Sequence, residues 1–199
     1  MADAGRVIAG SAKGVRLAAP GPGTRPLADR VKQTLFAVLE PVLADAVVLD
    51  LFAGSGAGGI EALSRGAARA VFVERDAGAA RVIADNLRRT GVADRATVVR
   101  REAAAWLADP AGAAAAGPFD IVLVDPPYAD ADALAVALEL VGAHVGQAGV
   151  VIAKHFWRDA PPPRAGLLAS VRVRRFGETA LTYYRRADAA PEGEEADEA

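Results

Sequence analysis

The chain has 199 residues, of which 52% are hydrophobic and 24% are charged, and it contains no cysteine. A chain of this length can bury one hydrophobic core without disulfides or structural metals to stabilise it. The lack of cysteine excludes disulfides and thiolate chemistry. No apolar run approaches the ~18 residues of a membrane span, and the start, MADAGRVIAG, lacks the regions of a secretory signal. We therefore expect a cytoplasmic protein.

The net charge of −2 is unevenly distributed along the chain. Residues 187–199 hold six acidic side chains and no basic one, so we expect one domain over residues 1–187 and a disordered acidic tail over 188–199. Residues 1–32 hold six basic side chains against two acidic ones. This asymmetry permits an anionic partner near the N-terminus, although basic residues on a hairpin are more often only solvated.

The first predicted elements are a hairpin and a helix. Residues 5–19 alternate weakly around glycines at 10 and 14, which predicts a β-hairpin. A Pro/Gly loop follows over 20–26. Asp29 can cap a helix of period 3.6, which we expect to stop at Pro41.

From residue 46 onward, predicted strands and helices alternate. Strands are predicted over 46–51, 70–74, 96–100, 119–124 and 149–154, helices over 58–64, 77–90, 103–108 and 131–145, a linker over 110–118, and a closing hairpin over 170–176 and 180–185. Continuous apolar strands separated by helices predict an α/β fold with a mostly parallel sheet covered on both faces. Ligands of such sheets bind beyond the carboxyl ends of the strands.

A glycine-rich loop follows the first of these strands. Gly54, Gly56 and Gly59 fit the pattern G-x-G-x-x-G, which is a weak signal alone. Asp50 precedes the loop and would repel a pyrophosphate, but it would attract a cationic group such as the ammonium of S-adenosylmethionine. Glu74 ends the second strand and can accept from both ribose hydroxyls, a feature that fits NAD equally.

Two further strand ends carry candidate contacts. Glu102 follows the third strand and could reach an adenine amino group, or could simply cap the next helix. The fourth strand ends in Asp125-Pro126-Pro127-Tyr128. Its prolines donate no N–H, so the Asp125 carboxylate and nearby carbonyls form an acceptor-only pocket. Such a pocket suits the exocyclic amine of a flat base, which could stack on Tyr128.

Together these motifs resemble those of class I S-adenosylmethionine-dependent methyltransferases that act on amino nitrogen. Over about residues 6–185 the chain is similar to one family in particular, the bacterial RsmD family, in the segments R-V-I-A-G-S-A-K-G-V-R-L, T-R-P-x-x-D-R-V-K, G-I-E-A-L-S-R-G and F-G-E-T-A-L. The resemblance implies a Rossmann-like, seven-stranded sheet of order 3-2-1-4-5-7-6 with an N-terminal hairpin extension. It further implies a monomer, independent of metals, that methylates guanine N2 in 16S rRNA within the small ribosomal subunit or an assembly intermediate.

The resemblance also implies roles for individual residues. The catalytic residues would be Asp125, Pro126 and Tyr128, with Asp125 accepting the proton of the amine after attack. The cofactor contacts would be Asp50, Phe52, Gly54, Gly56, Glu74, Arg75, Glu102 and Ala103. The RNA contacts, within an RNA-binding segment over 5–35, would be Arg6, Lys13, Arg16, Arg25 and Arg30.

The chain departs from the family pattern at Leu27-Ala28, at Glu102 and in its acidic tail, and three other functions stay open. Leu27-Ala28 replaces a usual pair of threonines, and Glu102 stands where a smaller Asp or Asn is common. A DNA methyltransferase acting on adenine N6 or cytosine N4 would share the acceptor pocket. An NAD-dependent dehydrogenase would share the glycines and Glu74 but not Asp50. A non-catalytic RNA-binding or assembly factor could retain the same fold.

Overall fold

The computed structural model describes residues 3–21, 29–127 and 130–189. Tyr128, Arg25, Leu27-Ala28 and residues 190–199 of the predicted tail therefore lie outside the described residues. The strands are β1 (Asp3–Arg6), β2 (Arg16–Ala18), β3 (Val47–Leu51), β4 (Arg69–Glu74), β5 (Ala96–Arg100), β6 (Phe119–Val124), β7 (Val145–Phe156), β8 (Arg164–Ala165), β9 (Leu168–Phe176) and β10 (Thr179–Arg186). The α-helices are α1 (Asp29–Leu43), α2 (Ala57–Ser64), α3 (Ala77–Thr90), α4 (Ala103–Leu107), α5 (Ala113–Ala116) and α6 (Ala131–Val141).

The central sheet has the order β5-β4-β3-β6-β7-β10-β9-β8. Strands β3 to β7 are parallel, and β10 runs antiparallel to both of its neighbours. The predicted order of seven strands is therefore confirmed. The two-residue strand β8 adds an eighth at the edge, and a strand this short has no periodicity that a sequence pattern could detect.

Two hydrophobic layers cover the sheet. One layer joins α1, α2, α3 and the N-terminal hairpin around residues such as Phe36, Ile60 and Phe72. The other joins α4, α5 and α6 around Trp106 and Leu138. The apolar strands are thus buried on both faces, as expected for a parallel sheet between helices.

Several boundaries differ from those predicted. Helix α1 continues past Pro41 to Leu43, so the proline lies in the last turn of the helix and does not end it. Helix α6 ends at Val141, and after one 3-10 turn β7 starts at Val145, so this strand is twelve residues long. The predicted linker over 110–118 contains α5, whose four alanines favour a helix.

The N-terminal hairpin, β1 and β2 with their turn, is fastened to the end of α2. The Glu61 carboxylate accepts from the N–H groups of Ile8 (2.7 Å) and Ala9 (3.0 Å). The Ser64 hydroxyl donates to the Ala9 carbonyl oxygen. Gly10 has a φ of +84°, and a Cβ there would lie 1.8 Å from the Ser64 carbonyl oxygen. The hairpin turn therefore fits α2 only with glycine at residue 10.

This contact predicts different costs for two hairpin glycines with nearly the same φ. Gly10→Ala should lower the free energy of unfolding by about 3 kcal/mol or more, because backbone strain adds to a clash with α2. Gly14→Ala, with a φ of +85° and nothing within 4 Å of its Cβ, should cost only about 1–2 kcal/mol. Urea unfolding of both variants measures the difference, and equal losses would contradict the docking.

Candidate functional site

A cavity of about 680 Å³ opens at the carboxyl ends of β3, β4, β6 and β7. This volume lies within the range of cofactor sites. Eight charged residues line it, namely Asp50, Glu74, Arg75, Asp76, Arg101, Asp125, Asp130 and Lys154. Of the predicted cofactor residues, Phe52, Gly54 and Ala103 also line the cavity. Two groups of predicted residues, at the glycine loop and after β6, thus meet in one space.

Asp50 lies at the end of β3, beneath the start of α2. Its side chain is buried, and its Oδ2 atom accepts a hydrogen bond of 2.8 Å from the Gly59 N–H. Burial raises the pKa of Asp50 to about 7, the Gly59 hydrogen bond opposes this rise, and the nearby charges of Asp125 and Glu74 add to it. A cation entering the cavity would stabilise the ionised form of this carboxylate.

The loop between β3 and α2 has an unusual backbone held by Glu74. Phe52 has a φ of 58°, which is uncommon for a residue with a side chain, and Gly54 and Gly56 have φ values of 55° and 76°. The Glu74 carboxylate accepts from the Gly54 N–H and the Asp76 N–H, both at 2.9 Å. Glu74 therefore fixes the glycine loop to the end of β4 while lining the cavity.

Helix α2 lies close to the sheet at Gly58, where a side chain would displace Leu123. A Cβ at Gly58 would lie 2.6 Å from the Leu123 Cδ1 atom. Close packing here keeps the Gly59 N–H within reach of Asp50. The glycines of the fingerprint region therefore serve helix packing as well as the approach of a ligand.

Glu102 has a structural role. Its carboxylate accepts from the N–H groups of Ala104 (3.0 Å) and Ala105 (2.6 Å), which caps α4. The neighbouring residues Arg101 and Ala103 line the cavity. The helix cap considered from the sequence is therefore present, and a contact of Glu102 with adenine stays a prediction.

The acceptor pocket after β6 contains an ion pair. The Lys154 ammonium donates to both Asp125 oxygens, at 2.7 and 2.9 Å. Burial raises the pKa of the Asp125 carboxyl, and the Lys154 charge and hydrogen bonds act in the opposite direction. Pro126 and Pro127 line the same cavity. Lys154 thus favours the ionised state of Asp125 in a place where burial alone would favour the neutral acid.

Sequence reasoning missed Lys154, although a signal was present. Lys154 lies near the carboxyl end of β7, which is the parallel neighbour of β6. Every parallel strand end at this edge is a candidate position, and a lone lysine after the run Val150 to Ala153 is conspicuous. The pairing of Val124 with Ala153 then places Asp125 beside Lys154.

The predicted RNA contacts are spread over the surface of the N-terminal segment. Arg6 pairs with Asp29 (3.2 Å) and Arg16 with Asp3 (2.7 Å), and these exposed ion pairs are weak enough to exchange for phosphates. Lys13 is exposed in the hairpin turn, which contacts the end of α2 farther from the glycine loop. Arg30 is exposed at the start of α1. Contact of these residues with RNA stays a prediction.

One amide connects the hairpin to the glycine loop. Asn86 on α3 accepts from the Ala18 N–H and donates to the carbonyl oxygens of Ala18 and Ser55, each at 2.9 Å. Asn86 is fully buried. The end of β2 and the loop at the cavity therefore share a single anchoring side chain.

Metal-site clusters and membrane-spanning helices are both absent from the described part of the chain. Within residues 3–21, 29–127 and 130–189 no three His, Cys, Asp or Glu side chains are grouped as a metal site would require. No helix in this part of the chain is both long and apolar enough to cross a bilayer.

The chain is similar to known bacterial proteins over most of its length. A family model described as Conserved hypothetical protein 95 matches residues 5–185. A Bacillus subtilis protein, named provisionally as the rRNA methyltransferase YlbH, is 36% identical over 184 residues, which is 91% of this chain and 98% of that protein. Ribosomal RNA small subunit methyltransferase D of Escherichia coli is 46% identical over 124 residues, 62% of this chain, and the match spans 60% of that protein.

A solved structure shows the same similarity in three dimensions. The Escherichia coli protein yhhF, described provisionally as a methyltransferase, has a TM-score of 0.79 and 34% sequence identity to this chain. The alignment covers 91% of this chain and 97% of that protein. The match therefore extends over the hairpin and the sheet alike.

The raised pKa of Asp50 predicts how its replacement changes stability with pH. An aspartic acid in an unfolded chain has a pKa of about 3.9, so between about pH 4 and 7 the folded state holds a proton that the unfolded state has lost. This contribution to stability is present at pH 4 and is lost as the pH rises through 7. Asp50→Asn keeps an acceptor for Gly59 but removes the charge.

The variant should therefore match the parent near pH 4 and exceed its free energy of unfolding by about 4 kcal/mol at pH 8. Denaturant unfolding at the two pH values measures this gap. A constant gap, or one that widens towards acid pH, would contradict a buried carboxyl with raised pKa.

Proposed function

The chain belongs to the RsmD family of class I methyltransferases, and on that premise we propose that it methylates the exocyclic N2 amine of a guanine in 16S rRNA. The cofactor of this family is S-adenosylmethionine. The substrate would be the small ribosomal subunit or an assembly intermediate, in keeping with the names of the relatives. Methyl transfer from S-adenosylmethionine follows from family membership. Guanine as the target base and the small subunit or its assembly intermediate as the substrate are our proposals.

The cavity has the chemistry to hold S-adenosylmethionine. The buried Asp50 carboxylate suits the ammonium of the methionine moiety. Because Gly54 has no side chain, the cofactor can approach the backbone of the loop closely. Each Glu74 oxygen accepts one backbone N–H and keeps a lone pair for a ribose hydroxyl. When bound, the cofactor supplies a methyl group on a cationic sulfur.

The observation that carries the proposal is that a cation site and an acceptor site share one cavity. Strands β3 and β6 are parallel neighbours, with Leu51 opposite Val124. Beyond this pair, the Asp125 N–H donates to the Leu51 carbonyl oxygen at 3.4 Å. Asp50 and Asp125 both line the cavity, so a methyl donor and a target amine can be held side by side.

The pocket residues would act mainly by alignment. The Asp125 carboxylate and the Pro126 carbonyl would accept the two hydrogens of the guanine amine and so orient its nitrogen. Positive charge develops on this nitrogen as it attacks, and an ionised Asp125 stabilises that charge and can then accept the proton. Lys154 keeps Asp125 ionised and fixed before the base arrives.

An acceptor-only pocket does not by itself separate guanine N2 from adenine N6 or cytosine N4, since all are exocyclic amines. A DNA amino-methyltransferase is therefore the second candidate. Ribosomal RNA is favoured because the relatives that match the chain are named for it. An NAD-dependent dehydrogenase is disfavoured because a buried carboxylate at the glycine loop would repel pyrophosphate.

The decisive experiment is transfer of a labelled methyl group to small subunits from cells that lack this gene, followed by mapping of the modified nucleotide. Asp125→Asn should lower kcat by about 100-fold or more, because an amide cannot take up the developing charge. Calorimetry with S-adenosylhomocysteine should give an affinity within a few-fold of the parent.

The matched control is Asp132→Asn, an exposed carboxylate in the first turn of α6, which should leave turnover unchanged. Label on DNA instead of RNA, or on a base other than guanine, would refute the proposed substrate. Parental turnover in Asp125→Asn would refute the role of the carboxylate.

The ion pair predicts a change in the pH profile. Lys154→Met removes the charge that lowers the pKa of Asp125, so the pKa of this carboxyl should rise. The acid limb of kcat/KM against pH should then move to higher pH, with about a tenfold loss of rate near neutrality. Lys154→Arg retains a cation and should keep the limb near its parental position. An acid limb that stays in place in Lys154→Met would show that Asp125 does not depend on this pair.

A further inference from the structure

Two arginines contact an indole ring where the C-terminal hairpin meets the end of β7, and two more lie beside them on β9. We call this group the C-terminal basic surface, and it consists of Trp157, Arg158, Arg172, Arg174 and Arg175. Arg158, Arg172 and Arg175 are exposed, and Trp157 and Arg174 are half-buried. None of these residues belongs to the cavity described above.

The indole of this surface has two guanidinium groups over its ring. The Arg175 guanidinium carbon lies 3.6 Å from the centroid of the Trp157 ring, and that of Arg158 lies 4.8 Å from it. The backbone N–H of Trp157 donates to the Glu178 carbonyl oxygen at 3.0 Å, which fixes the loop against the turn of the β9–β10 hairpin. The side chains are therefore arranged before any ligand binds.

The charges of this surface are not neutralised within the described ranges. No ion pair joins any of its four arginines to a carboxylate of residues 3–21, 29–127 or 130–189. The Arg174 Nε atom is buried without a hydrogen-bond partner in the same part of the chain. Arg172 and Arg174 lie on one face of β9 and Arg175 on the other, and Val171 and Val173, which separate them in the sequence, are 59% and 61% exposed. Unneutralised guanidinium groups at this density suit a polyanion.

The surface lies at the same edge of the sheet as the cavity. Strand β9 is antiparallel to β10, which is antiparallel to β7, so the carboxyl ends of β9 and β7 point the same way. Arg174 is opposite Leu181, and Leu181 is opposite Lys154, in one row across the sheet. Three strand spacings separate β9 from β6, or ~14 Å. This span equals about four stacked nucleotides.

We propose that the C-terminal basic surface binds the single-stranded RNA that flanks the target nucleotide, with arginines on phosphates and an unstacked base on the exposed Arg175 guanidinium that covers the indole. This inference rests on the proposed function, because it names a second contact for the same substrate. Guanidinium planes and indole rings are the groups on which unpaired bases stack. Charges on an edge strand also prevent pairing with another sheet. That role alone would not require an indole stacked on Arg175 at the same edge of the sheet as the cavity.

The test uses the full chain and a short single-stranded RNA oligonucleotide. The protein has two tryptophans, so Trp106→Phe leaves Trp157 as the sole indole reporter. RNA should quench the fluorescence of Trp157 in this variant. Arg172→Gln/Arg175→Gln in the parent chain should weaken binding about tenfold and lower the slope of log affinity against log salt by about 1.4, which is two phosphate contacts on a single strand.

The matched control removes two arginines from the far side of the sheet. Arg81→Gln/Arg88→Gln on α3 makes the same change of net charge and should retain the parental salt slope. For small subunits, the Arg172/Arg175 variant should raise KM and leave kcat at saturation unchanged. Its affinity for S-adenosylhomocysteine should also be unchanged, since these residues lie outside the cavity.

Two results would overturn the inference: Trp157 fluorescence that RNA does not alter, or equal salt slopes for the two double variants. These outcomes are independent of the proposed function. If the parent binds RNA through this surface but transfers no methyl group to the particle, the proposed activity fails and the surface stands. If the particle is methylated and the double variants behave alike, only this inference fails.

Discussion

The structure of the site depends on one buried carboxylate. Asp50 ends a strand in the centre of the sheet, and the only hydrogen bond of its side chain among the described residues comes from the Gly59 N–H. This bond positions the first turn of α2, and Gly58 permits the close approach that the bond needs. Glu74 holds the loop between β3 and α2 by accepting a hydrogen bond from the Gly54 N–H. The buried Asp50 therefore positions the backbone at the entrance of the cavity, and its ionisation sets part of the charge there.

Parallel pairing extends this local arrangement across the sheet. Because β3, β6 and β7 are neighbours, their carboxyl ends bring Asp50, Asp125 and Lys154 to one edge. An acidic side chain that attracts a cation and a second one already neutralised by lysine have different chemical uses. The first suits a positively charged donor and the second suits an amine. A single sheet edge thus provides two electrostatic environments a short distance apart.

Much of this arrangement could be predicted from the sequence. The apolar runs of β3 to β6 and the position of α3 were correct within about one residue, because burial on both faces leaves a strong pattern. The grouping of Asp50, Glu74 and Asp125 followed from the rule of strand ends. Lys154, Glu61 and Asn86 were not assigned their partners, because each contacts a segment far away in the chain. Periodicity gives the class of an element but not the partner of a polar side chain.

The amide of Asn86 limits how the N-terminal segment can be studied. Deleting residues 1–20 would leave this buried amide with one of its three partners and would strip the Ile8 and Ala9 N–H groups from Glu61. A truncated enzyme would then carry orphaned polar atoms next to the donor loop, and a fall in activity could reflect a loosened loop as readily as a lost nucleic-acid contact. Surface substitutions that spare the backbone are therefore the sound way to separate attachment from chemistry in this molecule.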